Sequence, residues 1–175
     1  MKKLKWGIIG TGNIAHAFAR GLEKSNKCEL YAVGSRSVEN AKKFADEFKI
    51  KKSFGSYEEI LADPEVEAVY ISTPHPQHAE WAIKAARAKK HILCEKPIGV
   101  NYAESLAIVE AARENDVFLM EAFMYRCHPQ TKKLVELIKA KAIGEVRVIQ
   151  ASFAFSASFK ADSRLFSNDF AGGGI

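Results

Sequence analysis

The sequence predicts an α/β protein built on an open, mostly parallel, doubly wound sheet. Short apolar runs typical of strands alternate with helix-like segments six times, with short connections. The run 68–72 is predominantly apolar, as expected of a parallel strand covered on both faces. The first strand ends in Gly10-Thr11-Gly12, directly before a helix-like stretch. Because ligands of such sheets bind beyond the carboxyl ends of the strands, the turns after the strands are the candidate functional segments.

Each predicted element rests on a local pattern. In the second helix, Phe44 and Phe48 recur with Ala41 and Ala45 at helical spacing. A serine or asparagine followed three residues later by glutamate opens two helices, at Ser56 and at Asn101. The predicted strands are 4–9, 28–34, 51–54, 68–72, 91–94 and 117–122, and the predicted helices are 14–22, 38–48, 56–62, 78–88 and 101–115.

From Phe123 onward the pattern changes. The sequence predicts a helix over 129–141 and a strand-like stretch over 145–155, followed by polar and aromatic residues up to Phe170. The chain then ends in three glycines and Ile175. This ending is typical of a chain cut inside a second, sheet-based domain. We therefore expect a dinucleotide-binding domain over 1–122 and the incomplete beginning of a second domain over 123–175.

Composition limits the class of protein. The 175 residues carry a net charge of +5, with 26 Lys and Arg scattered among 21 Asp and Glu. Scattered lysines are typical of a solvated surface, so we expect no nucleic-acid partner, and an anionic small molecule is the functional alternative. No apolar run approaches the ~20 residues that span a membrane, and the N-terminus lacks the apolar core of a signal peptide. We therefore expect a cytoplasmic protein with no membrane partner.

The three cysteines are an odd number without metal-type spacing. They fit reduced thiols in a reducing compartment. Cys28 and Cys94 lie in predicted strands, where we expect them to be small buried hydrophobic residues.

The turn after the first strand has the form that binds a dinucleotide pyrophosphate. Gly10 permits a tight turn, and Gly12 lets phosphate oxygens approach the backbone. Thr11 lies between these glycines. The N–H groups of Asn13 and Ile14 follow and open a helix whose dipole favours negative charge. Ala15 replaces the third glycine of the pattern. A plain strand–helix turn is the alternative interpretation, because glycine patterns of this kind are common.

The turn after the second strand indicates which dinucleotide binds. An acidic residue at this position holds the ribose hydroxyls of NAD, whereas an arginine accommodates the 2′-phosphate of NADP. Here the turn reads Ser35-Arg36-Ser37. A hydroxyl beside a guanidinium suits phosphate, so NADP is favoured and NAD remains possible. A solvated surface arginine is the alternative.

The turns after the fourth and fifth strands carry the remaining unusual residues. Lys96 follows Glu95 and precedes Pro97, and a lysine at a strand end can donate or accept a proton. The alternative is a surface lysine paired with Glu95. Thr73 and Pro74 end the fourth strand.

Two histidines follow Pro74 closely. His75 and His78 are three residues apart, but no third ligand with suitable spacing follows, so no metal is expected. His78 is expected to begin the helix facing the cofactor, whereas His75 could be merely exposed.

Four segments together resemble a known family. They are Gly10–Ala15, the Ser-Thr-Pro-His-Pro-Gln-His run 72–78, Glu95-Lys96-Pro97, and the Glu-Ala-Phe-Met-Tyr-Arg-Cys-His-Pro run 121–129. The chain resembles the glucose–fructose oxidoreductase, inositol dehydrogenase and MocA family of NAD(P)-dependent oxidoreductases over its whole length. The last segment looks most like the dihydrodiol dehydrogenase and xylose dehydrogenase branch.

The resemblance implies a Rossmann domain followed by an α/β domain whose open, mainly antiparallel sheet forms a homodimer interface. It implies that Lys96 contacts the substrate oxygen and the cofactor, and that Pro97 has a cis bond. It also implies that Thr73 to His78 and Glu95 to Pro97 lie against the cofactor. Tyr125 and Arg126 would line the cleft between the domains, although Tyr125 could equally be a packed aromatic residue at the junction.

The resulting expectation is an NADP-dependent oxidoreductase, or its N-terminal part. It would transfer a hydride between nicotinamide and a secondary alcohol or carbonyl of a sugar or cyclic diol. By the resemblance, a Tyr or His a few residues beyond Ile175 would complete the proton path. A non-catalytic NAD(P)-binding module or truncated remnant is the second hypothesis. A basic nucleic-acid-binding protein is the third, and it would need lysines and arginines clustered on one face.

Overall fold

A six-stranded parallel sheet forms the centre of the computed structural model, which describes residues 2–160, 163 and 165–170. The strands are β1 (Leu4–Ile9), β2 (Cys28–Gly34), β3 (Lys52–Phe54), β4 (Ala68–Ile71), β5 (His91–Cys94) and β6 (Leu119–Glu121). The helices are α1 (Asn13–Glu23), α2 (Val38–Phe48), α3 (Tyr57–Ala62), α4 (His78–Arg87), α5 (Tyr102–Glu114) and α6 (Pro129–Lys139). Short 3-10 turns lie at His75–Gln77, Met124–Cys127 and Asn168–Phe170.

The strand order places the candidate turns at one edge of the sheet. The order is β3-β2-β1-β4-β5-β6, so the chain moves outward to one side from β1 and then returns to build the other side from β4. At its carboxyl end, β1 pairs Ile9 with Gly34 of β2 and with Ile71 of β4. The strand order therefore reverses between β1 and β4, and this is where ligands of doubly wound sheets bind. The predicted parallel α/β sheet is confirmed.

Side chains at the helix starts explain where several helices begin. Ser37 and Ser56 accept hydrogen bonds at 3.2 Å from the backbone N–H groups three residues later, and Asn101 accepts one at 2.9 Å from Glu104. Glu59 in turn accepts from the N–H of Gly55 at 3.1 Å. These bonds satisfy N–H groups that have no partner inside the helix, as the serine–glutamate and asparagine–glutamate patterns predict.

The core covers both faces of the sheet. On one face Ile9, Val69 and Ile71 pack with residues of α3, α4 and α5, and on the other Ile8 and Tyr70 pack with α1 and α2. All four residues of β4 are buried, which confirms the strand predicted from its apolar run. Each large apolar side chain buried in this way contributes about 1.5–3 kcal/mol.

The strand predicted over 145–155 is wrong, because the structure shows no strand there and its side chains are exposed. An isolated strand leaves its backbone N–H and C=O groups unpaired, so an apolar run alone does not stabilise one. The end of the preceding helix is also corrected, since α6 ends at Lys139 rather than at 141. The proposed division at 122 into two domains stays a prediction, and the glycine-rich ending lies outside the described residues.

The cysteines differ in burial. Cys94 is fully buried, as expected, whereas Cys28 is only half-buried and Cys127 is exposed. Cys28 is the first residue of β2, and the first three residues of this strand are only partly buried. The prediction of a buried residue was therefore correct for Cys94 and wrong for Cys28.

Candidate functional site

The turn after β1 leaves the first helical N–H groups without a side-chain partner. Gly10 has φ +100°, and a Cβ there would lie 3.1 Å from Ser72 Oγ. This conformation and this space favour glycine. Gly12 is the N-terminal cap of α1, it provides no side-chain acceptor, and a Cβ on it would meet nothing within 4 Å. Open space therefore adjoins the N-terminus of α1, where an anion is favoured.

This turn forms one part of a single cleft along the carboxyl ends of the strands. The cleft has a volume of about 840 Å³. Its lining brings together most of the residues predicted from sequence, from turns that are far apart along the chain. The lining residues are Gly10, Thr11, Gly12, Asn13, Ile14, Ser35, Arg36, Ser37, Asn40, Tyr57, Ser72, Thr73, Pro74, His75, Glu95, Lys96, Ala122 and Met124.

One end of the cleft is basic and lies beside β2. Arg36 is exposed there and interacts with the hydroxyl of Tyr57. Burial raises the pKa of Tyr57, and the positive charge of Arg36 opposes that rise. Ser35 is buried and accepts a hydrogen bond from the N–H of Ser37 at 3.3 Å, which shapes the turn. This end therefore offers a guanidinium and hydroxyl groups to an anionic ligand.

The other end of the cleft contains Lys96. Glu95 does not pair with it, because one Glu95 carboxylate oxygen accepts a hydrogen bond from Tyr70 Oη at 2.6 Å. The other carboxylate oxygen accepts the backbone N–H of Lys96 at 3.3 Å. Within the described part of the chain, Lys96 Nζ has no hydrogen bond or ion pair. The alternative of a lysine paired with Glu95 is therefore wrong.

Buried groups behind Lys96 stay neutral. Burial and the Glu95 carboxylate raise the pKa of Tyr70 well above its usual range, so Tyr70 remains a hydrogen-bond donor. Burial also raises the pKa of the Cys94 thiol to about 12. The thiol is therefore protonated near pH 7 and a poor nucleophile. In this part of the cleft, the charged groups are Glu95 and Lys96.

The segment after β4 forms the wall between the two ends. Thr73 is 6% exposed, and its hydroxyl oxygen is buried without a hydrogen-bond partner in the structure. Pro74 and His75 line the cleft, whereas His78 lies behind the wall with no exposed surface. His78 Nε2 is 2.9 Å from the carbonyl oxygen of Thr73, and Nδ1 is 2.7 Å from that of Pro97. The Lys96–Pro97 bond is cis, which confirms that expectation.

Tyr125 and Arg126 are exposed and lie just beyond the cleft residue Met124. The Tyr125 ring contacts Phe123, with 5.7 Å between ring centroids. Their role in a substrate cleft stays a prediction. His128 caps α6 by accepting the N–H of Gln130 at 3.2 Å.

Sequence reasoning missed several lining residues: Ser37, Asn40, Tyr57, Ser72, Ala122 and Met124. Ser37 and Asn40 stand at the start of α2, so the helix-capping pattern after Arg36 could have indicated them. Tyr57 belongs to α3 and reaches the cleft only because α3 packs beside β2. No short sequence pattern signals that contact.

The described residues suit a dinucleotide better than a metal. The glycine turn offers N–H groups and open space for phosphate, Arg36 offers a guanidinium at one end, and Thr73 presents an unpartnered hydroxyl. Across residues 2–160, 163 and 165–170, no group of three His, Cys, Asp or Glu side chains is placed to hold a metal ion. In the same residues, no helix has the length and apolar character to cross a membrane.

A model of the oxidoreductase family with an NAD-binding Rossmann fold matches residues 4–123. The match covers the whole parallel sheet and every residue that lines the cleft except Met124. The chain belongs to this oxidoreductase family, which is the one expected from the motifs. Its parallel sheet is the NAD(P)-binding Rossmann domain.

Two relatives illustrate the similarity in sequence. The chain is 43% identical to the trans-1,2-dihydrobenzene-1,2-diol dehydrogenase of Mus musculus over 157 residues, which are 89% of this chain and 47% of the mouse protein. It is 39% identical to an uncharacterised oxidoreductase of Rhizobium meliloti over 175 residues, which are 99% of this chain and 52% of that protein. The chain therefore spans about half the length of these curated relatives.

Solved structures of two oxidoreductases have the same fold as this domain. A 3-ketoreductase from Actinomadura kijaniata, crystallised with NADP and TDP-benzene, superposes with a TM-score of 0.77 at 34% identity. The superposition covers 83% of this chain and 46% of the ketoreductase. An oxidoreductase from Desulfitobacterium hafniense, described as a putative NADPH-dependent enzyme, gives a TM-score of 0.79 at 31% identity over 83% of this chain and 42% of that one.

Proposed function

We propose that this chain binds NADP and serves in the reversible oxidation of a secondary alcohol, with a cyclic diol or a sugar as substrate. One observation carries the proposal: a single cleft joins the glycine turn, the Arg36 end and the Lys96 end. The first two suit a dinucleotide phosphate, and the third offers an amine to a substrate oxygen.

The residues that would hold the cofactor follow from the lining. Gly10 to Ile14 would hold the pyrophosphate, Ser35 and Arg36 would hold the 2′-phosphate, and Thr73 to His75 and Glu95 would line the nicotinamide. When bound, the nicotinamide supplies the hydride chemistry. His78, which has no exposed surface, supports the wall after β4 from behind, and Pro97 lies exposed next to Lys96.

Lys96 acts on the substrate oxygen in this proposal. Its Nζ has no partner among the described residues, so hydrogen bonding to a substrate breaks no existing contact. In alcohol oxidation the neutral amine of Lys96 would accept the hydroxyl proton, while the hydride on the carbon that carries this hydroxyl would go to the bound nicotinamide; reduction would reverse both transfers. Tyr125 and Arg126, next to Met124, would contact the part of the substrate away from the reacting carbon.

Relatives support the substrate class. A diol dehydrogenase and a 3-ketoreductase both interconvert hydroxyl and carbonyl groups, and both match the Rossmann domain described above. The substrate itself depends on residues that this structure does not describe. Arg36 favours NADP over NAD.

The test uses the 175-residue chain. NADPH and NADH are titrated against it by nicotinamide fluorescence, and cyclic diols and sugars are then screened for NADP reduction. Saturable NADPH binding that is tighter than NADH binding, followed by turnover, is expected. The absence of NADPH binding would contradict the proposal, and binding without turnover would favour a non-catalytic cofactor-binding module.

The proposal extends to assembly and location. The whole protein would be a cytoplasmic homodimer, as the family resemblance implies. Exposed apolar side chains of α6 and the following segment, such as Leu134, Ile143 and Phe153, support an interface there. Light scattering on the purified protein measures the assembly directly, and a monomer at every concentration would count against it.

A further inference from the structure

The turn that carries Lys96 is held by side chains from three different elements. Tyr70 of β4 donates to Glu95 at 2.6 Å. Glu121 of β6 accepts the N–H of Ile98 at 2.9 Å. His78 of α4 places Nδ1 2.7 Å from the carbonyl oxygen of Pro97. Each bond fixes a residue next to Lys96 or close to it, whereas Lys96 Nζ itself is left without a bond.

Among these three side chains, His78 is the one that joins two walls of the cleft. Its second ring nitrogen lies 2.9 Å from the carbonyl oxygen of Thr73, at the end of β4. The ring has no exposed surface, so water cannot replace either bond. Both partners are carbonyl oxygens, which only accept, so the ring acts as a donor wherever one of its nitrogens carries hydrogen. Removing the ring would leave the buried carbonyl group of Thr73 and the carbonyl group of Pro97 without this partner.

We infer that His78 is a positioning residue that fixes the Lys96 turn relative to the Thr73 wall. The inference rests on the proposed function, because positioning matters only if Lys96 acts on a substrate oxygen opposite that wall. The direction in which the Lys96 side chain points depends on its backbone, because Nζ makes no hydrogen bond or ion pair with the described residues. A misplacement of about 1 Å at such a group costs up to about 100-fold in rate.

His78→Gln tests this role, because glutamine keeps a donor but cannot reach both carbonyl oxygens in the geometry of a ring. We expect kcat to fall about 10- to 100-fold. The Kd for NADPH should change by less than about threefold, because the glycine turn and Arg36 are untouched. His91→Gln is the matched control. His91 begins β5 at the end opposite Lys96 and is exposed.

Amide hydrogen exchange provides a readout that needs neither cofactor nor turnover. In His78→Gln the N–H of Ile98 should exchange faster, while the amides of β1 and β2 keep their wild-type rates. A merely structural role would speed exchange throughout the sheet. Equal acceleration everywhere, or wild-type rates at Ile98 together with wild-type kcat, would overturn the inference.

A measurement on the wild-type chain covers the case in which His78→Gln does not fold. The ¹⁵N spectrum of the His78 ring should show a hydrogen-bonded ring N–H that exchanges slowly with solvent. A ring N–H that exchanges as fast as that of an exposed histidine would overturn the inference. If the wild-type chain fails to bind NADPH, the proposed function fails, whereas the exchange and ring spectra still decide whether His78 holds the turn.

Discussion

The two ends of the cleft are built in different ways. At the glycine turn the backbone forms the site: Gly10 has φ +100°, and Gly12 leaves open space in front of α1. At the Lys96 end, side chains form the site, and Tyr70, His78 and Glu121 hold the turn from three elements. The first end depends on two glycines that have no side chain. The second end depends on contacts between residues that are far apart in the sequence.

This difference predicts how each end responds to substitution. A change at the glycine turn acts through backbone conformation or by filling the space for a phosphate, so folding and cofactor affinity should respond. A change at the Lys96 end leaves the phosphate site intact, so turnover should respond more than affinity. Separate measurements of stability, Kd and kcat therefore test whether the two ends respond to substitution in these different ways.

Lys96→Met should show the largest effect. Methionine keeps an unbranched side chain of similar bulk but cannot exchange a proton, so kcat should fall by about 10²- to 10⁴-fold. The Kd for NADPH should stay within about twofold, since the substrate interaction and not the phosphate site is lost. Steady-state kinetics and fluorescence titration measure the two quantities. Lys43→Met, on the exposed face of α2, is the control, and undiminished turnover would remove Lys96 from the mechanism.

Arg36→Ala should separate the two dinucleotides. Loss of the guanidinium should weaken NADPH binding by about 10- to 100-fold, as expected for lost hydrogen bonds to a charged group. NADH, which lacks the 2′-phosphate, should bind nearly as before. Paired titrations measure both, with Arg113→Ala on α5 as the control. Equal weakening of NADPH and NADH would show that Arg36 does not read the 2′-phosphate.

Much of the fold and part of the site could be predicted because their signals are local. The apolar runs indicated the strands, and Gly10 to Ile14 and Arg36 follow strands directly in sequence. The position of Tyr57 in the cleft could not be predicted, because Tyr57 reaches the cleft only through the packing of α3 beside β2. The contacts of the His78 ring could not be predicted for the same reason, although His78 does begin α4 as expected. Its position at a helix start indicated the cofactor, whereas the fold places its ring between two carbonyl groups behind the wall.

The strand predicted over 145–155 failed for a related reason. Its apolar residues, such as Val148 and Phe153, have the composition of a strand, but a strand also needs a neighbour to pair with. Within residues 2–160, 163 and 165–170, no segment pairs with it. Composition therefore predicted the strands that pair with their neighbours in the sheet and overpredicted the one without such a partner.

Gly10→Ala and Gly12→Ala should have different effects at the backbone-built end. Alanine at position 10 must adopt φ +100° and would lie 3.1 Å from Ser72 Oγ. The variant should therefore lose about 1–3 kcal/mol of stability. Alanine at position 12 meets nothing within 4 Å, so Gly12→Ala should unfold nearly as wild type but bind NADPH more weakly. Denaturant unfolding and titration of both variants test this. Equal stability losses would contradict the difference in local space.

Tyr70→Phe should show the smallest effect and bears on the side-chain-built end. Phenylalanine keeps the stacking on Phe18, whose ring centroid lies 4.0 Å away, and removes only the donor to Glu95. We expect a loss of about 1 kcal/mol in stability and a decrease of severalfold in kcat, with the Kd for NADPH unchanged. Tyr102→Phe, at an exposed ring on α5, is the control. Because Tyr70 fixes one side of the Lys96 turn whereas His78 joins two walls, its effect on kcat should be smaller than that of His78→Gln. The reverse order would show that the Glu95 carboxylate, and not the Thr73 wall, determines where Lys96 points.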